Sequence, residues 1–264
     1  MDAVDNLGRP FVVNLLRLAE IIESAGVPFA VIGASAFLLH DVDLSRTTRD
    51  LDLAVAIEGG LDAVRGLLLD AGLSSTRIDH RFRTHDGSEI DVLALDPTWS
   101  PEHEIRLADG ETLHAIGLPE GLRHAVSIVV GNRAVPVMSL PMLIAMKLVG
   151  ASSGNRPHDL EDACAAMAAY EQSGDRRFDL DYERFDDLSF ETAGALLAGL
   201  DAARMIGAAT REAFDGAAER LLMTVQLSDR FAHGPLRRRL VLAFRTGLDA
   251  ESSSGTERCV TGAP

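Results

Sequence analysis

The apolar and polar positions near the N-terminus alternate between helical and extended periods. Residues 10–25 carry apolar side chains at helical spacing, which predicts an amphipathic helix. The apolar run 28–32 stops at Gly33, and a short amphipathic segment over 34–40 follows it. A polar turn then leads into a second apolar run that begins at Asp50. This order predicts a strand, a glycine turn, a helix, a loop and a second strand.

Turn signals divide the rest of the chain into further elements. Residues 60–71 predict another amphipathic helix, and the Asp-Gly pair within 85–88, between alternating segments, predicts a hairpin. The Gly-Asn pair 131–132 predicts a second hairpin, and the Asp-Gly pair 109–110 predicts a turn. Later apolar patterns predict helices that start at Ser139, span 158–172, span 189–226 in two pieces broken near Gly207, and span 235–246.

The charge balance limits the kinds of partner that the chain can bind. The 264 residues carry a formal net charge of −15, so the field of the whole molecule repels phosphate. A nucleic acid would therefore need a local basic patch. Lys147 is the single lysine among 25 basic residues, which is either chance or the mark of a site that needs a compact ammonium group.

The cellular compartment is also predicted from composition. Cys164 falls on a predicted helix and Cys259 in a polar tail, so we expect no disulfide between them. The acidic first ten residues do not resemble a signal peptide, and charges interrupt every apolar run before it reaches the length of a membrane span. We therefore expect a cytoplasmic protein without membrane contact.

Carboxylates cluster at the start of two predicted strands. Asp50 and Asp52 face the same way because side chains alternate along a strand. Two carboxylates on one face repel each other unless a cation lies between them, which favours a divalent metal site. Asp91 lies on the strand after the 85–88 turn, and Glu89 shares its face. The alternative interpretation is a solvated strand end in an acid-rich chain.

An ordered set of motifs resembles the nucleotidyltransferase superfamily that includes DNA polymerase beta. The set comprises Gly33-Ala34-Ser35, Asp50-Leu51-Asp52 and Asp91. More narrowly, the run 46–52 is similar to the Arg-x-Thr-x-Asp-x-Asp run of abortive-infection-type nucleotidyltransferases, which include toxins of bacterial toxin–antitoxin pairs. Segments 145–148 and 156–162 resemble the lysine helix and the Arg-x-Lys-Asp-x-x-Asp segment of that family, with His158 in place of the second lysine. The resemblance covers roughly residues 10–172.

The resemblance implies a domain organisation and a set of site residues. The implied fold is an α/β (α+β) nucleotidyltransferase domain over 1–173, with a mixed sheet and flanking helices. A helical region over 174–250 and a disordered tail over 251–264 follow it. The resemblance also implies two Mg²⁺ ions, replaceable by Mn²⁺, and the ligands and catalytic residues would be Asp50, Asp52 and Asp91. The implied nucleotide-binding residues are Gly33, Ser35, Arg46, Thr48, Lys147 and Asp159.

Several of these residues have a second, structural interpretation. Ser35 is equally suited to capping its helix, and Arg46 and Thr48 to ordering the loop before Asp50. Asp159 and Asp162 would either balance a helix dipole or act as partners of Lys147 or Arg156. Three arginines of one predicted strand face form either an acceptor patch or, as we favour, a solvated face: Arg77, Arg81 and Arg83.

The implied reaction transfers a nucleoside monophosphate from a nucleoside triphosphate to an acceptor hydroxyl. Family resemblance adds a toxin role, a tRNA or protein acceptor and an antitoxin partner, while a small molecule such as an aminoglycoside stays open as acceptor. Two alternatives are a non-catalytic nucleotide- or partner-binding module of the same fold, and a metal-dependent hydrolase that uses the same acids.

Overall fold

The structure is a computed structural model that describes most of the chain. The described residues are 7–44, 46, 48, 50–98, 104–106, 112–114, 116–154, 156–172, 174–185, 187–224, 227 and 233–257. The chain divides into two compact units, Met1–Ser139 and Leu140–Pro264. The resemblance-based boundary at residue 173 stays a prediction, and the two units are described separately below.

The first unit contains both helices and strands. Its helices are α1 (Arg9–Ser24), α2 (Gly33–Leu39), α3 (Gly60–Asp70) and α4 (Leu118–Arg123). Its strands are β1 (Phe29–Ile32), β2 (Leu51–Ala56), β3 (Ser74–Ser75), β4 (Arg81–Arg83), β5 (Glu89–Leu95), β6 (Glu104–Arg106), β7 (Thr112–His114), β8 (Val126–Val130) and β9 (Arg133–Val137).

Most of these strands form one mixed sheet. In the described part of the chain it has seven strands in the order β3-β4-β5-β2-β1-β9-β8, and β6 and β7 pair separately. Strand β2 runs antiparallel to β1 and parallel to β5, while β4 and β5 form a hairpin. This arrangement confirms the predicted α/β architecture of a mixed sheet with helices, and it places β2 and β5 side by side.

The hydrophobic pattern explains the position of the central strands. All four residues of β1 are buried, as expected for a strand with neighbours on both edges and apolar side chains on both faces. Helix α1 buries Leu15, Leu18 and Ile22 on one stripe, which satisfies its amphipathic pattern. Phe82 of β4 and Ile90 of β5 are fully buried, so the hairpin is tied to the same core.

Both predicted hairpins are present. Arg83 of β4 pairs with Glu89 of β5 around the 85–88 turn, in which Gly87 has a positive φ. Val130 pairs with Arg133 around Gly131 and Asn132. The predicted turn at 109–110 lies outside the described residues. The strand predicted to start at residue 77 starts instead at Arg81, and Arg77 lies in a bend, so it does not share a strand face with Arg81.

The second unit is helical. Its helices are α5 (Leu140–Ser152), α6 (Pro157–Ala169), α7 (Phe190–Met205), α8 (Ala208–Leu222) and α9 (Gly234–Glu257), with a 3-10 turn at Asp175–Arg177. The break near Gly207 is confirmed. Residues 251–257 of the segment predicted as a disordered tail belong to α9, and 258–264 lie outside the described residues. Among the described residues, helices long and apolar enough to cross a membrane are absent.

Small residues set the distance between two helices of this unit. A Cβ atom on Gly199 of α7 would overlap the backbone of Phe244 in α9, and one on Gly247 of α9 would overlap the backbone of Leu196. The two helices therefore touch backbone to backbone, because glycine leaves no side chain between them.

Candidate active site

A row of residues in register crosses four strands of the sheet in the first unit, and three of its members are charged. Ile32 of β1 pairs with Asp52 of β2, Asp52 pairs with Asp91 of β5, and Asp91 pairs with Arg81 of β4. Partners in register on neighbouring strands point to the same face of a sheet. Asp52, Asp91 and Arg81 therefore stand next to one another on one face, and the two predicted aspartates are direct neighbours.

The side chain of Asp52 lies against the glycine that ends β1. Gly33 has a φ of 66°, and a Cβ atom built on it would come within 2.6 Å of the Asp52 Cγ atom. Glycine is required here for two reasons, since the backbone adopts a left-handed conformation and the carboxylate occupies the space of a side chain. The glycine turn predicted from the sequence thus positions the Asp52 carboxylate.

Asp91 is held by a two-pronged ion pair. Arg81 Nε donates to Asp91 Oδ1 at 2.7 Å, and Arg81 Nη2 donates to Asp91 Oδ2 at 2.7 Å. The side chains are 25% and 17% exposed, so the pair lies at the surface of the unit rather than within its core. The hydrogen bonds that Arg81 donates to Asp91 raise the pKa of the Arg81 guanidinium, so it stays charged.

Two further carboxylates act on the Arg81 guanidinium. Arg81 Nη1 donates to Glu89 Oε2 at 3.0 Å, and Glu89 also accepts from Arg83 at 2.6 Å. These arginines lower the pKa of Glu89, with the Arg83 hydrogen bond as the main cause. Asp50 lies directly before β2, and its negative charge helps to raise the pKa of Arg81. Asp91, Glu89 and Asp50 therefore all act on the same internal cation.

The carboxylates fit a divalent metal in kind, while Asp91 is engaged elsewhere. Carboxylate oxygens are the hard donors that Mg²⁺ prefers, and Asp52 occupies a cradle that a Cβ atom on Gly33 would fill. However, the described residues contain no group of three or more His, Cys, Asp or Glu side chains arranged to hold a metal ion. Both oxygens of Asp91 accept hydrogen bonds from Arg81, so Asp91 is not free to join the other two predicted ligands around a metal ion.

The remaining residues predicted in this unit order the loops around the carboxylates. Ser35 is fully buried, and its hydroxyl donates to the Ile32 carbonyl at 3.1 Å, which favours a role in the turn. Thr48 donates to the Asp50 carbonyl at 3.4 Å. Arg46 is half-buried and takes part in a polar or electrostatic interaction. Two members of the family-like run 46–52 lie outside the described residues: Thr47 and Arg49.

An open groove lies beside Arg81. Its volume is about 530 Å³, and its lining includes Arg77, Arg81, Arg83 and Glu89. The groove follows the β3–β4 edge of the sheet, so the arginine side chains have room on their solvent side.

The second unit contains a separate cluster around Lys147. Its Nζ atom lies 2.5 Å from Asp159 Oδ1 and 3.1 Å from Asp162 Oδ2. The three side chains are 16%, 11% and 3% exposed, so this ion pair is largely buried. Gly150 makes room for it, because a Cβ atom there would overlap the Asp159 carboxylate. Lys147 and Asp159, both predicted to bind nucleotide, are therefore bonded to each other.

Sequence reasoning missed the most prominent contact of the site. Arg81 was interpreted as part of a solvated face or acceptor patch, and Glu89 only as a rival of Asp91. The hairpin turn at 85–88 contained the missing signal, because its register places Arg83 opposite Glu89 and Arg81 opposite Asp91. Asp159 and Asp162 both contact Lys147, which favours the partner interpretation over the helix-dipole one, whereas the space that Gly150 leaves for Asp159 has no signal in the sequence.

Comparisons with known proteins identify the family. The family of nucleotidyl transferase AbiEii toxins of type IV toxin–antitoxin systems has a model that matches residues 18–234. The chain belongs to this family. Membership in the AbiEii family confirms the predicted resemblance to abortive-infection-type nucleotidyltransferases.

Two solved structures similar to this AbiEii-family chain illustrate the range of the comparison. An antigenic nucleotidyltransferase-like protein from Paracoccidioides brasiliensis has 18% identity and a TM-score of 0.41, with 73% of this chain and 87% of that chain covered. The antibiotic-resistance factor ANT(2'')-Ia has 15% identity and a TM-score of 0.37, with 63% of this chain and 84% of that chain covered. No curated protein matches the sequence.

Proposed function

We propose that this AbiEii-family protein is a Mg²⁺-dependent nucleotidyltransferase that acts as the toxin of a toxin–antitoxin pair. It transfers a nucleoside monophosphate from a nucleoside triphosphate to an acceptor hydroxyl and releases pyrophosphate. The observation that carries the proposal is the in-register pairing of Asp52 with Asp91, beside the glycine turn at Gly33. Family membership supports the transfer class and the toxin role.

The charge of the reacting groups explains why such a site needs these carboxylates. A triphosphate carries about four negative charges, and transfer concentrates charge on the phosphate and on the leaving pyrophosphate. Divalent ions, when bound, neutralise that charge and align the attacking and leaving oxygens. Asp50, Asp52 and Asp91 are the residues that would hold them, because hard cations select carboxylate oxygens.

The proposed step conserves atoms and charge. The acceptor oxygen attacks the α-phosphorus, and the bond from that phosphorus to the bridging oxygen of the β-phosphate breaks. The proton of the acceptor hydroxyl passes to Asp91, and pyrophosphate leaves with the electron pair of the broken bond. Asp52 is kept in place by its packing on Gly33, so the turn fixes one side of the site.

The nucleotide-binding assignments follow the family resemblance. Gly33 permits close approach of a phosphate to the backbone, and Ser35 supports the turn from inside. Arg46 and Thr48 order the loop that carries Asp50. In the second unit we assign Lys147 to the triphosphate as a point charge, with Asp159 as the residue that positions it. The proposed acceptor is a tRNA, a protein or a small molecule.

The test is a transfer assay with labelled nucleoside triphosphates, Mg²⁺ or Mn²⁺, and three separate acceptor pools of total RNA, protein and aminoglycosides. We expect labelled product with at least one pool. Asp52→Asn is expected to reduce kcat by roughly 100- to 1,000-fold, because it removes one negative oxygen from the reacting site. Asp62→Asn makes the same change on an exposed helix position of the same unit and is expected to retain activity.

Other outcomes of that assay would support the alternatives. Release of free monophosphate without any acceptor would indicate a hydrolase. Absence of transfer to every pool, together with a melting temperature that no triphosphate changes, would indicate a partner-binding module. The toxin role is tested separately, since expression of the wild-type chain should arrest growth, Asp52→Asn should not, and a co-expressed antitoxin should relieve the arrest.

A further inference from the structure

Arg81 supplies positive charge to the acidic cluster of the first unit. Its guanidinium contacts Asp91 and Glu89, and the charge of Asp50 also acts on it. Asp52 stands next to Asp91 in the same row. Without a cation these carboxylates would repel one another, so Arg81 compensates part of their charge in the structure as it stands.

The contact with Asp91 uses the groups that a metal ion would need. Both Asp91 oxygens accept hydrogen bonds from Arg81 at 2.7 Å, in the parallel geometry that makes Arg–carboxylate pairs specific. A Mg²⁺ ion requires ligand oxygens at about 2.0–2.1 Å, and it would repel a guanidinium that held the same carboxylate. Asp91 can therefore bind Arg81 with both oxygens or bind a metal ion with them, but it cannot do both at once.

The Arg81–Asp91 ion pair lies where a metal ion can replace the guanidinium. Both partners are partly exposed, so water can solvate each of them when they separate. The open groove beside Arg81 gives its side chain room to leave Asp91, and Glu89 offers the guanidinium a second carboxylate. The displacement of Arg81 from Asp91 therefore requires no rearrangement of the core.

We propose that Arg81 is an internal counter-ion of the acidic cluster, which holds Asp91 until a divalent cation displaces it. The inference rests on the proposed function, because it concerns the metal that the same carboxylates would bind. It assigns to Arg81 a positioning role that neither the sequence nor the family description suggests. It also predicts that the protein binds metal more weakly than its three aspartates alone would.

The test compares Mn²⁺ binding by full-length variants in isothermal titration calorimetry, without nucleotide. Arg81→Gln removes the competing charge and is expected to lower the Mn²⁺ dissociation constant by about tenfold or more. Arg83→Gln is the matched control, because it removes the same charge from the same strand and contacts Glu89 rather than Asp91. For Arg83→Gln we expect a dissociation constant within about twofold of the wild type, since long-range charge effects are screened.

A measurement on the wild type covers the case in which Arg81→Gln fails to fold. The Nε–H group of Arg81 is hydrogen-bonded to Asp91, so its NMR signal should shift or exchange faster with water as Mg²⁺ is added. Arg81→Lys identifies that signal by removing it. An Arg81 signal that stays unchanged at saturating Mg²⁺ would overturn the inference.

The outcomes separate this inference from the proposed function. Mn²⁺ binding that Asp52→Asn abolishes, and that Arg81→Gln does not strengthen beyond Arg83→Gln, overturns the counter-ion role and leaves metal-dependent transfer intact. Absence of Mn²⁺ binding in the wild type and in Arg81→Gln alike overturns both. Binding that appears only in Arg81→Gln supports the counter-ion role strongly.

Discussion

The two units contain ion clusters that share a design and differ in burial. In the first unit Arg81 contacts Asp91, whose neighbour Asp52 packs on a glycine. In the second unit Lys147 contacts Asp159, which itself packs on a glycine. The first cluster is partly exposed, whereas Asp162 makes the second nearly closed to water. Buried ions are costly to separate and exposed ones are cheap, so the two clusters should respond very differently to loss of their cation.

The difference separates an ion pair that is costly to break from one that exchanges easily. Lys147 has two carboxylate partners within a buried cluster, so its removal leaves charge in a medium of low dielectric constant. Arg81 faces an open groove, so water can replace it. Charge alone therefore does not tell whether an ion pair maintains a fold or regulates a site, and burial has to be considered with it.

The largest expected effect is the loss of Lys147. Lys147→Met should reduce the free energy of unfolding by ~3–5 kcal/mol, because Asp159 and Asp162 remain buried and lose the Lys147 ammonium group. Arg81→Gln should reduce it by about 1 kcal/mol or less, since both partners of that pair are partly exposed. Urea unfolding followed by circular dichroism measures both values.

A compensating variant shows whether charge is the cause. Lys147→Met combined with Asp159→Asn and Asp162→Asn removes the buried charges together and should recover a large part of the lost stability. If the triple variant is no more stable than Lys147→Met, the loss comes from packing, and the contrast between the two clusters fails.

The second prediction concerns the glycine that supports Asp52. Gly33→Ala should destabilise the protein by about 1–3 kcal/mol and abolish transfer, because it adds backbone strain and displaces the Asp52 carboxylate. Gly87→Ala provides the control, since Gly87 also has a positive φ while a Cβ atom there would meet no atom within 4 Å. Thermal melts and the transfer assay are measured on both variants.

Gly87→Ala is expected to destabilise through strain alone and to retain transfer. Equal activity in the two variants would show that the space above Gly33 is not needed for the position of Asp52. A loss confined to Gly33→Ala would support the packing of carboxylate on glycine as a requirement of the site.

The smallest effect on stability is expected from His40, whose charged form is disfavoured mainly by burial rather than by an ion cluster. Burial lowers the pKa of His40 below its ordinary value of 6.5, and its ring lies 2.8 Å from the Met138 carbonyl. The unfolded chain therefore binds a proton more readily than the folded one. The resulting stability is fully present above pH 6.5 and is lost as the pH falls through the folded-state pKa.

His40→Gln keeps a hydrogen-bond donor near Met138 and removes the titration. The wild type should lose unfolding free energy between pH 7 and pH 5 more steeply than His40→Gln does, as measured by urea unfolding at each pH. Parallel pH profiles would exclude His40 as a source of acid sensitivity.

Much of the first unit could be predicted from local pattern. The period of apolar residues gave α1, β1, β2 and α3, and two glycine-containing turns gave the hairpins. The shared face of Asp50 and Asp52 stays a prediction, because β2 begins at Leu51. What alternation does not provide is the order of strands, so the contact of β5 with β2, which brings Asp91 beside Asp52, depended on the family resemblance.

The parts that could not be predicted depend on contacts between distant segments. Parity gave the face of Arg81 but not its partner, although the hairpin register would have supplied it. The burial of Ser35 results from packing that a local pattern does not encode. Asp159 and Asp162 lie one helical turn apart, yet their approach to Lys147 needs the angle between α5 and α6. Tertiary packing decided each of these cases.

The parallel pairing of β2 with β5 also has a consequence for a protein that is harmful to its host. Asp52 and Asp91 belong to strands separated by α3, β3 and β4, so they meet only when β5 has been synthesised and has paired with β2. A chain that ends before β5, or one whose sheet has opened between β2 and β5, has no assembled acid pair. On the proposed function, a local opening of the sheet at this one strand pair would be enough to stop transfer, even while the rest of the molecule stays folded.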